Sequence, residues 1–221
     1  MTLTLLVAMA STAAGADPQV LRAGLDVEAG WTEVGRESYD DVGEVVVRYK
    51  VIAGSNCLEG TATSTASADL MLALSADIEN QPAWSSWKIP ESKRLGNAGS
   101  AFDYFQVLDN PSPVSDRSWF LRGAVTRRGD DRMFIWDQID GAALYPDEVS
   151  GVRARHPDVV FTTLNVGDWT FTPDGARTRV RYRLCTDAGG SLPMWLGEIA
   201  ARKTLPTNVA DMVREAQRRS R

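Results

Sequence analysis

An alternation of arginine with uncharged residues runs through residues 177–184. The arginines are Arg177, Arg179, Arg181 and Arg183, and the residues between them are Thr178, Val180, Tyr182 and Leu184. Because successive side chains of a β-strand point to opposite faces, this pattern predicts a strand with one face toward water and the other toward a core. The chain must therefore form a sheet that is covered on one side.

The remaining patterns predict an α+β domain with the order helix, three strands, helix, about six strands and a long final helix. Residues 45–52 and the segment that begins at Cys57 are typical of strands, and Ser67 is expected to cap the second helix. The final helix carries apolar residues on both sides of Pro206, where it should bend or restart. This order predicts a curved antiparallel sheet wrapped around a long C-terminal helix.

The composition favours one globular domain with a large core. The chain has 221 residues, of which 43% are hydrophobic and 24% are charged. A formal net charge of -5 disfavours nucleic acid as a partner. Seven tryptophans favour a roomy interior, which can serve either as plain core or as an apolar ligand site.

Few residues signal catalysis or a cofactor. His156 is the single histidine, and it precedes Pro157 in a stretch typical of a surface loop. The sequence has no nucleophile-elbow, phosphate-loop or dinucleotide-binding motif. One histidine and two distant cysteines do not make a typical zinc site, so we expect no cofactor. We also expect no enzyme, although a carboxylate and a tyrosine in a pocket would leave no motif.

The first residues indicate export. A short apolar run at residues 3–10 is followed by Ala14-Gly15-Ala16, which has the form of a signal-peptidase site. We therefore expect residues 1–16 to be a signal peptide and residues 17–221 to be the mature domain, located in the periplasm or secreted. The start lacks the usual lysine or arginine, and an uncleaved anchor or an N-terminal helix is the alternative.

The C-terminal residues are basic against the overall charge of the chain. From residue 202 onward, Asp211 and Glu215 are outnumbered by Arg202, Lys203, Arg214, Arg218, Arg219 and Arg221. A solvated helix end, favoured by the helix dipole, explains this pattern. The alternative is transient attraction to an anionic membrane surface.

Several segments resemble the START family of lipid-binding domains. The similar residues are 167–171 (Gly-Asp-Trp-Thr-Phe), 187–190 (Asp-Ala-Gly-Gly) and 192–196 (Leu-Pro-Met-Trp-Leu) near the end, and 102–104 and 111–117 in the middle. The resemblance extends from about Trp31 to Glu215. It departs at Ala188, where the family usually has proline, and at residues 141–163, which match no pattern of the family.

This resemblance implies a helix-grip fold in which the sheet and the C-terminal helix enclose a tunnel for a lipid or sterol. The strands are expected to contribute Phe105 and Trp136. Arg122 lies near the family's cavity arginine but one residue out of register, so it belongs either to the cavity or to the surface. The helix residues expected to bind the ligand recur at helical spacing but would serve equally as plain core; they are Trp195, Ile199, Leu205, Val209 and Met212.

The function implied by the resemblance is that of a monomeric carrier for a lipid or sterol-like molecule, without catalysis. One alternative is an enzyme of the aromatase or cyclase type, which would place an acid, an arginine and a hydroxyl together in the cavity. Another is a module that senses an apolar ligand and reports it to a partner, which would expose a large apolar patch. The sequence does not separate these three.

The two cysteines are expected to form a disulfide. Cys57 shares the polar face of its strand with Glu59, and Cys185 shares a face with the arginines of residues 177–183. If the strands pair antiparallel, as the resemblance implies, Cys57 opposite Cys185 also sets Glu59 opposite Arg183, an attractive pair. An oxidising compartment would let the bond form. The alternative is two reduced, half-buried cysteines.

We predict that the mature protein begins at Asp17, because cleavage should follow Ala16. N-terminal sequencing of the protein from its native host checks this. Recovery of a chain with an intact Met1 from the soluble cytosolic fraction would contradict it.

Overall fold

The chain folds around one ten-stranded sheet. The computed structural model describes residues 16–110, 114–187 and 194–221, and in the last range it describes side chains from Thr204 onward. The strands are β1 Thr32–Tyr39, β2 Gly43–Ile52, β3 Ser55–Ser64, β4 Glu91–Ala98, β5 Ala101–Leu108, β6 Arg117–Arg128, β7 Asp131–Gln138, β8 Val160–Phe161, β9 Leu164–Asp174 and β10 Arg177–Asp187. Their order across the sheet is β1-β2-β3-β10-β9-β7-β6-β5-β4, with β8 added beside β6.

Five helices flank the sheet in the described ranges. They are α1 Pro18–Asp26, α2 Ala68–Ala76, α3 Gly141–Leu144, α4 Pro146–Arg155 and α5 Met194–Arg219. Every strand pair is antiparallel except β6 with β8. The predicted α+β helix-grip fold is confirmed, and the expected cap of α2 is present, because the Ser67 hydroxyl accepts a hydrogen bond from the Leu70 amide at 3.3 Å. None of these helices combines the length and apolar character needed to cross a membrane.

The terminal helix α5 packs directly on β3. Gly60 makes this approach possible, because a methyl group at that position would lie 2.8 Å from Cγ2 of Val209 and 3.3 Å from Cδ2 of Leu205. The helix continues through Pro206 without a break, so the expected restart does not occur. Together with α2, it covers the inner face of the sheet and buries the largest apolar cluster.

The opposite face carries a ladder of paired charges. Arg48, Glu59, Arg183 and Asp168 lie side by side on β2, β3, β10 and β9. Glu59 is 2.5 Å from Arg48, and Asp168 is 2.9 Å from Arg183. Arg183 also donates to the Leu25 carbonyl of α1 at 2.5 Å. Burial of these charges beneath α1 is tolerated because each one has an opposite charge within hydrogen-bond distance.

The predicted disulfide is confirmed. Cys57 and Cys185 are direct cross-strand neighbours and are bonded to each other, and Glu59 is opposite Arg183 as expected. Both cysteines are fully buried in a small apolar cluster with Leu21 of α1. The bond therefore ties β3 to β10 at the point where α1 covers the sheet.

Residues 141–163, which match no pattern of the family, form α3, α4 and β8. These elements cover the end of the outer face at β5 and β6, where Phe105 and Phe120 pack against Val149 and Val152 of α4. Strand β5 is consequently buried on both of its faces. Its outer side chains belong to this satellite cluster and its inner side chains belong to the main core.

We predict that the disulfide contributes measurably to stability, because it closes a separation of 128 residues in the unfolded chain. The double replacement Cys57→Ala and Cys185→Ala should lower the free energy of unfolding by about 2–4 kcal/mol while the fold is retained. Urea unfolding followed by circular dichroism measures this. As a control, reductant present during unfolding should destabilise the wild type and leave the double variant unchanged; a wild type that does not respond to reductant would contradict the prediction.

Candidate functional site

A small pocket lies between the inner face of the sheet and α5. Its volume is about 60 Å³. Five of the seven tryptophans line it: Trp84, Trp87, Trp119, Trp136 and Trp169. The other lining residues are Ser75, Ile78, Gln81, Ile89, Tyr104, Gln106, Leu121, Phe134, Asn165, Tyr182, Asn208 and Met212. The site is thus aromatic and, in the described part of the chain, free of charged side chains.

Aromatic side chains fill most of the space beneath the helix. Trp136 lies against the backbone at Gly167, where a methyl group would be 2.5 Å from Cζ2 of the indole. The rings of Trp136 and Tyr182 are 5.7 Å apart, and those of Trp169 and Tyr182 are 4.4 Å apart. A volume of this size holds about two water molecules. Among the described side chains, stacked aromatic rings thus occupy the space beneath the helix where the sequence predicts a lipid-sized cavity.

Part of the polar lining is fully hydrogen-bonded. The Trp119 indole donates to Gln106 Oε1 at 3.2 Å, and Gln106 Nε2 donates to Gln81 Oε1 at 2.8 Å. The Trp136 indole donates to Asn165 Oδ1 at 2.8 Å. These bonds fix two of the five tryptophans and connect the segment after α2 to the sheet.

Three other polar atoms at the pocket have no hydrogen-bond partner among the described residues. They are the indole nitrogens of Trp84 and Trp87 and the side-chain oxygen of Asn208. All three atoms are buried, and all three residues line the pocket. Buried polar groups are nearly always paired in native proteins, so a cluster of unpaired ones needs an explanation.

One wall of the pocket is a short loop that we call the Trp loop, residues 84–87. The loop is held to α5 by Asp211, whose carboxylate accepts from the Ser86 amide at 2.6 Å and from the Ser86 hydroxyl at 2.9 Å. Arg214 lies between Asp211 and Asp41, at 2.9 Å and 2.5 Å. A single buried carboxylate thus fastens the Trp loop over the pocket.

The helix residues predicted to bind a ligand have different places. Met212 lines the pocket. Leu205 and Val209 are buried against Gly60 of β3 and do not line it. Trp195 and Ile199 belong to α5, but their side chains lie outside the described part of the chain.

The strand residues divide by face. Trp136 lines the pocket, whereas Phe105 and Arg122 lie on the other side of the sheet. The reason is strand alternation: Tyr104 and Gln106, the neighbours of Phe105 in β5, face the pocket. Arg122 is 44% exposed and 2.7 Å from Asp103, and this guanidinium holds the pKa of the Asp103 carboxyl below its usual value. Neither Phe105 nor Arg122 contributes to this pocket.

Asn208, like Trp84 and Trp87, is a pocket residue that sequence reasoning missed. A signal was available, because Asn208 precedes Met212 by four residues and therefore shares its face of the helix. An asparagine in an otherwise apolar helix stripe usually has a polar partner, and Trp84 and Trp87 line the same pocket as Asn208.

The titratable groups of the described lining are two buried tyrosines. Burial raises the pKa of Tyr104, and burial together with the nearby Asp168 charge raises the pKa of Tyr182. Both phenols therefore stay protonated at neutral pH. His156 is distant from this lining; it lies at the end of α4, 2.8 Å from Glu91 and 3.5 Å from Asp116. It is held between two carboxylates rather than lying free on the surface.

Charged residues elsewhere are largely paired or solvent-facing. Among the C-terminal cations, Arg218 and Arg219 each lie 2.7 Å from Glu215 of the same helix. An open groove of about 720 Å³ crosses the outer face of β2, β3 and β10 and includes Arg177, Arg179 and Arg181. That groove is the solvent-facing side of the alternation in β10.

Comparison with known proteins shows the fold. No protein-family model matches the chain. An uncharacterised protein of Pseudomonas aeruginosa is 27% identical over 125 residues, which are 56% of this chain and 57% of that protein. The chain thus matches little more than half of the length of this curated relative.

Solved structures are more informative. The superposition with a STAR-related lipid transfer protein from Xanthomonas axonopodis covers 86% of this chain and 99% of that protein's chain, with a TM-score of 0.68 and 20% sequence identity. Human StAR-related lipid transfer protein 5 covers 91% and 93% with a TM-score of 0.71 at 13% identity. The Zhui aromatase/cyclase of Streptomyces covers 75% and 95% with a TM-score of 0.55 at 18% identity. The chain therefore has the helix-grip fold of the START-related lipid transfer domains.

Proposed function

We propose that this protein binds one apolar or amphipathic small molecule, of the lipid or sterol-like class, in the pocket between the sheet and α5. The observation that carries the proposal is the aromatic pocket itself, because it lies inside the fold and is closed by a loop fastened through one carboxylate. Lipid transfer proteins with the same fold support the ligand class.

Ligand binding on this account requires the pocket to widen. The Trp loop is the wall that can separate from α5, because its fastening depends on the hydrogen bonds between Ser86 and Asp211. A ligand that enters would replace contacts between aromatic rings by contacts with its own apolar surface. Burial of each methylene contributes about 0.8 kcal/mol before the cost of ordering is subtracted.

We propose binding without catalysis. Proton transfer to or from a substrate needs a group that titrates near neutral pH. The described lining has only Tyr104 and Tyr182 as acids, and the pKa of each is raised by burial. An acid, an arginine and a hydroxyl do meet in this fold, because Asp103 accepts from Arg122 at 2.7 Å and from the Tyr145 hydroxyl at 2.8 Å. They meet on the outer face of the sheet, and none of the three lines the pocket.

We further propose that the protein works outside the cytoplasm as a monomer. The buried disulfide supports an oxidising compartment, the periplasm or the exterior. Transfer of the ligand would involve brief contact with a membrane. Because Arg214, Arg218 and Arg219 are in ion pairs, they offer little free charge for such contact, and we propose that the contact depends on apolar groups of the Trp loop.

We predict that weakening the fastening of the Trp loop makes the loop open more often. The replacement Asp211→Asn leaves one acceptor oxygen for the two donors of Ser86, and exchange of the Ser86 and Trp87 amides should become roughly tenfold faster. Hydrogen exchange with mass spectrometry measures this. The matched control is Asp41→Asn, which removes the other carboxylate of Arg214 and leaves Ser86 bound; equal exchange in both variants would contradict the prediction.

We predict saturable binding of one molecule of the neutral apolar probe N-phenyl-1-naphthylamine. The replacement Met212→Trp should weaken that binding at least tenfold, because the larger ring takes the space of the pocket, while the overpacking costs about 1–3 kcal/mol of stability. Fluorescence titration measures the affinity.

A matched control for this variant is Leu144→Trp, which adds the same ring at an exposed position outside the pocket. Val209 is unsuitable for the test, because a larger residue there would collide with β3 at Gly60. The proposal fails if the wild type shows no saturable binding, or if Met212→Trp and Leu144→Trp bind the probe equally well.

A further inference from the structure

The unpaired atoms in the described lining of the pocket comprise two hydrogen-bond donors and one acceptor. Two are indole nitrogens, on Trp84 and Trp87, which can only donate. The third is the carbonyl oxygen of the Asn208 side chain, which can only accept. Asn208 is 3% exposed and lies on α5, whereas the two tryptophans lie on the Trp loop. The three residues therefore line one pocket from two elements.

Other tryptophans of the pocket show that this pattern is selective. The indoles of Trp119 and Trp136 have partners within the protein, Gln106 and Asn165. Two of the three strand indoles at the pocket, those of Trp119 and Trp136, are thus paired, whereas both indoles of the Trp loop lack a partner in the described residues. A group that enters the pocket, either a ligand or water, would complete them, because no described side chain does so.

Among common ligand groups, an aliphatic hydroxyl fits this set. A hydroxyl has two acceptor lone pairs and one donor hydrogen, which match two indole donors and one carbonyl acceptor. An ester, ether or carboxylate accepts but does not donate, so it would leave Asn208 Oδ1 facing another oxygen. An ammonium group donates but does not accept, so it would leave both indoles unpaired.

The lack of charged groups in the described pocket lining also favours a hydroxyl. None of its described lining residues carries a formal charge at neutral pH. A carboxylate or phosphate would lose its hydration without gaining an opposite charge, which is strongly unfavourable in an apolar interior. The ligand must therefore be neutral.

We propose, on the basis of the function proposed above, that the ligand is a neutral amphipathic alcohol. Its hydroxyl accepts hydrogen bonds from Trp84 and Trp87 and donates one to Asn208. The hydroxyl then bridges the Trp loop and α5 beside the Asp211 fastening, so the polar end of the ligand closes the pocket over the apolar end. Alcohols with and without a ring system share this chemistry.

The test compares three probes of equal chain length: 1-decanol, 1-methoxydecane and decanoate. Calorimetric titration of the wild type should show 1-decanol binding roughly tenfold more tightly than 1-methoxydecane, because the ether cannot donate to Asn208. Decanoate should bind most weakly. The replacement Asn208→Leu should abolish the preference for the alcohol over the ether.

Replacement of the donors gives an independent check. Trp84→Phe and Trp87→Phe keep a ring but remove the N–H. Each replacement should weaken the binding of 1-decanol and of 1-methoxydecane by a similar factor of about five. The matched control is Trp31→Phe, which makes the same change outside the pocket. Thermal unfolding establishes that each variant is folded. If Asn208→Leu does not fold, the preference of the wild type for 1-decanol over 1-methoxydecane decides whether the inference holds.

The possible results separate this inference from the proposed function. Equal affinity of the wild type for the alcohol and the ether, as expected if water alone occupies the position, overturns the inference and leaves the proposed function intact. Preference for decanoate overturns it as well. A preference for the alcohol that survives in Asn208→Leu refutes the placement of the hydroxyl. If the wild type binds none of the three probes, the proposed function fails together with the inference.

Discussion

The close approach of α5 to β3 at Gly60 sets the position of everything else on the inner face. Because the helix touches the sheet there, Val209 is enclosed and Asn208 and Met212 are turned toward β5, β6 and β7. Aromatic side chains and the Trp loop fill the space on that side of the helix and leave a small pocket within the main core.

The two faces of the sheet differ in how their buried polar groups are paired. On the outer face, the ladder from Arg48 to Asp168 gives each buried charge an opposite partner, and α1 covers it. On the inner face, charges are absent from the described pocket lining, but Trp84, Trp87 and Asn208 keep unpaired polar atoms. Each unpaired atom costs about 1–3 kcal/mol of stability. Among the described residues, the outer face also keeps two unpaired buried atoms, on Ser118 and Arg181, but only on the inner face do the unpaired atoms line a pocket where a ligand would remove this cost.

Much of the strand framework could be predicted from the sequence, because polar and apolar residues alternate visibly where one face of a strand meets water. Strand β10 follows from such alternation, and the pairing of Cys57 with Cys185 follows from it together with the antiparallel strand pairing that the family resemblance implies. Alternation fails in β5, which is buried on both faces, so nothing in the sequence distinguished Phe105 from Tyr104 as the inward residue. The covering helices α3 and α4, which bury that outer face, come from a segment without a recognisable pattern. The volume of the pocket also could not be predicted from the sequence, because the tryptophans that favoured a roomy interior fill it with their own side chains.

The central claim is that the protein takes up one neutral apolar molecule beneath α5. Native mass spectrometry of the protein purified from its native host, under conditions that preserve non-covalent complexes, tests it most directly. The account predicts a mass above that of the chain by one small molecule, which is lost on denaturation and carries a hydroxyl and no formal charge. A population at the mass of the chain alone, or one that carries an anionic lipid, would contradict it.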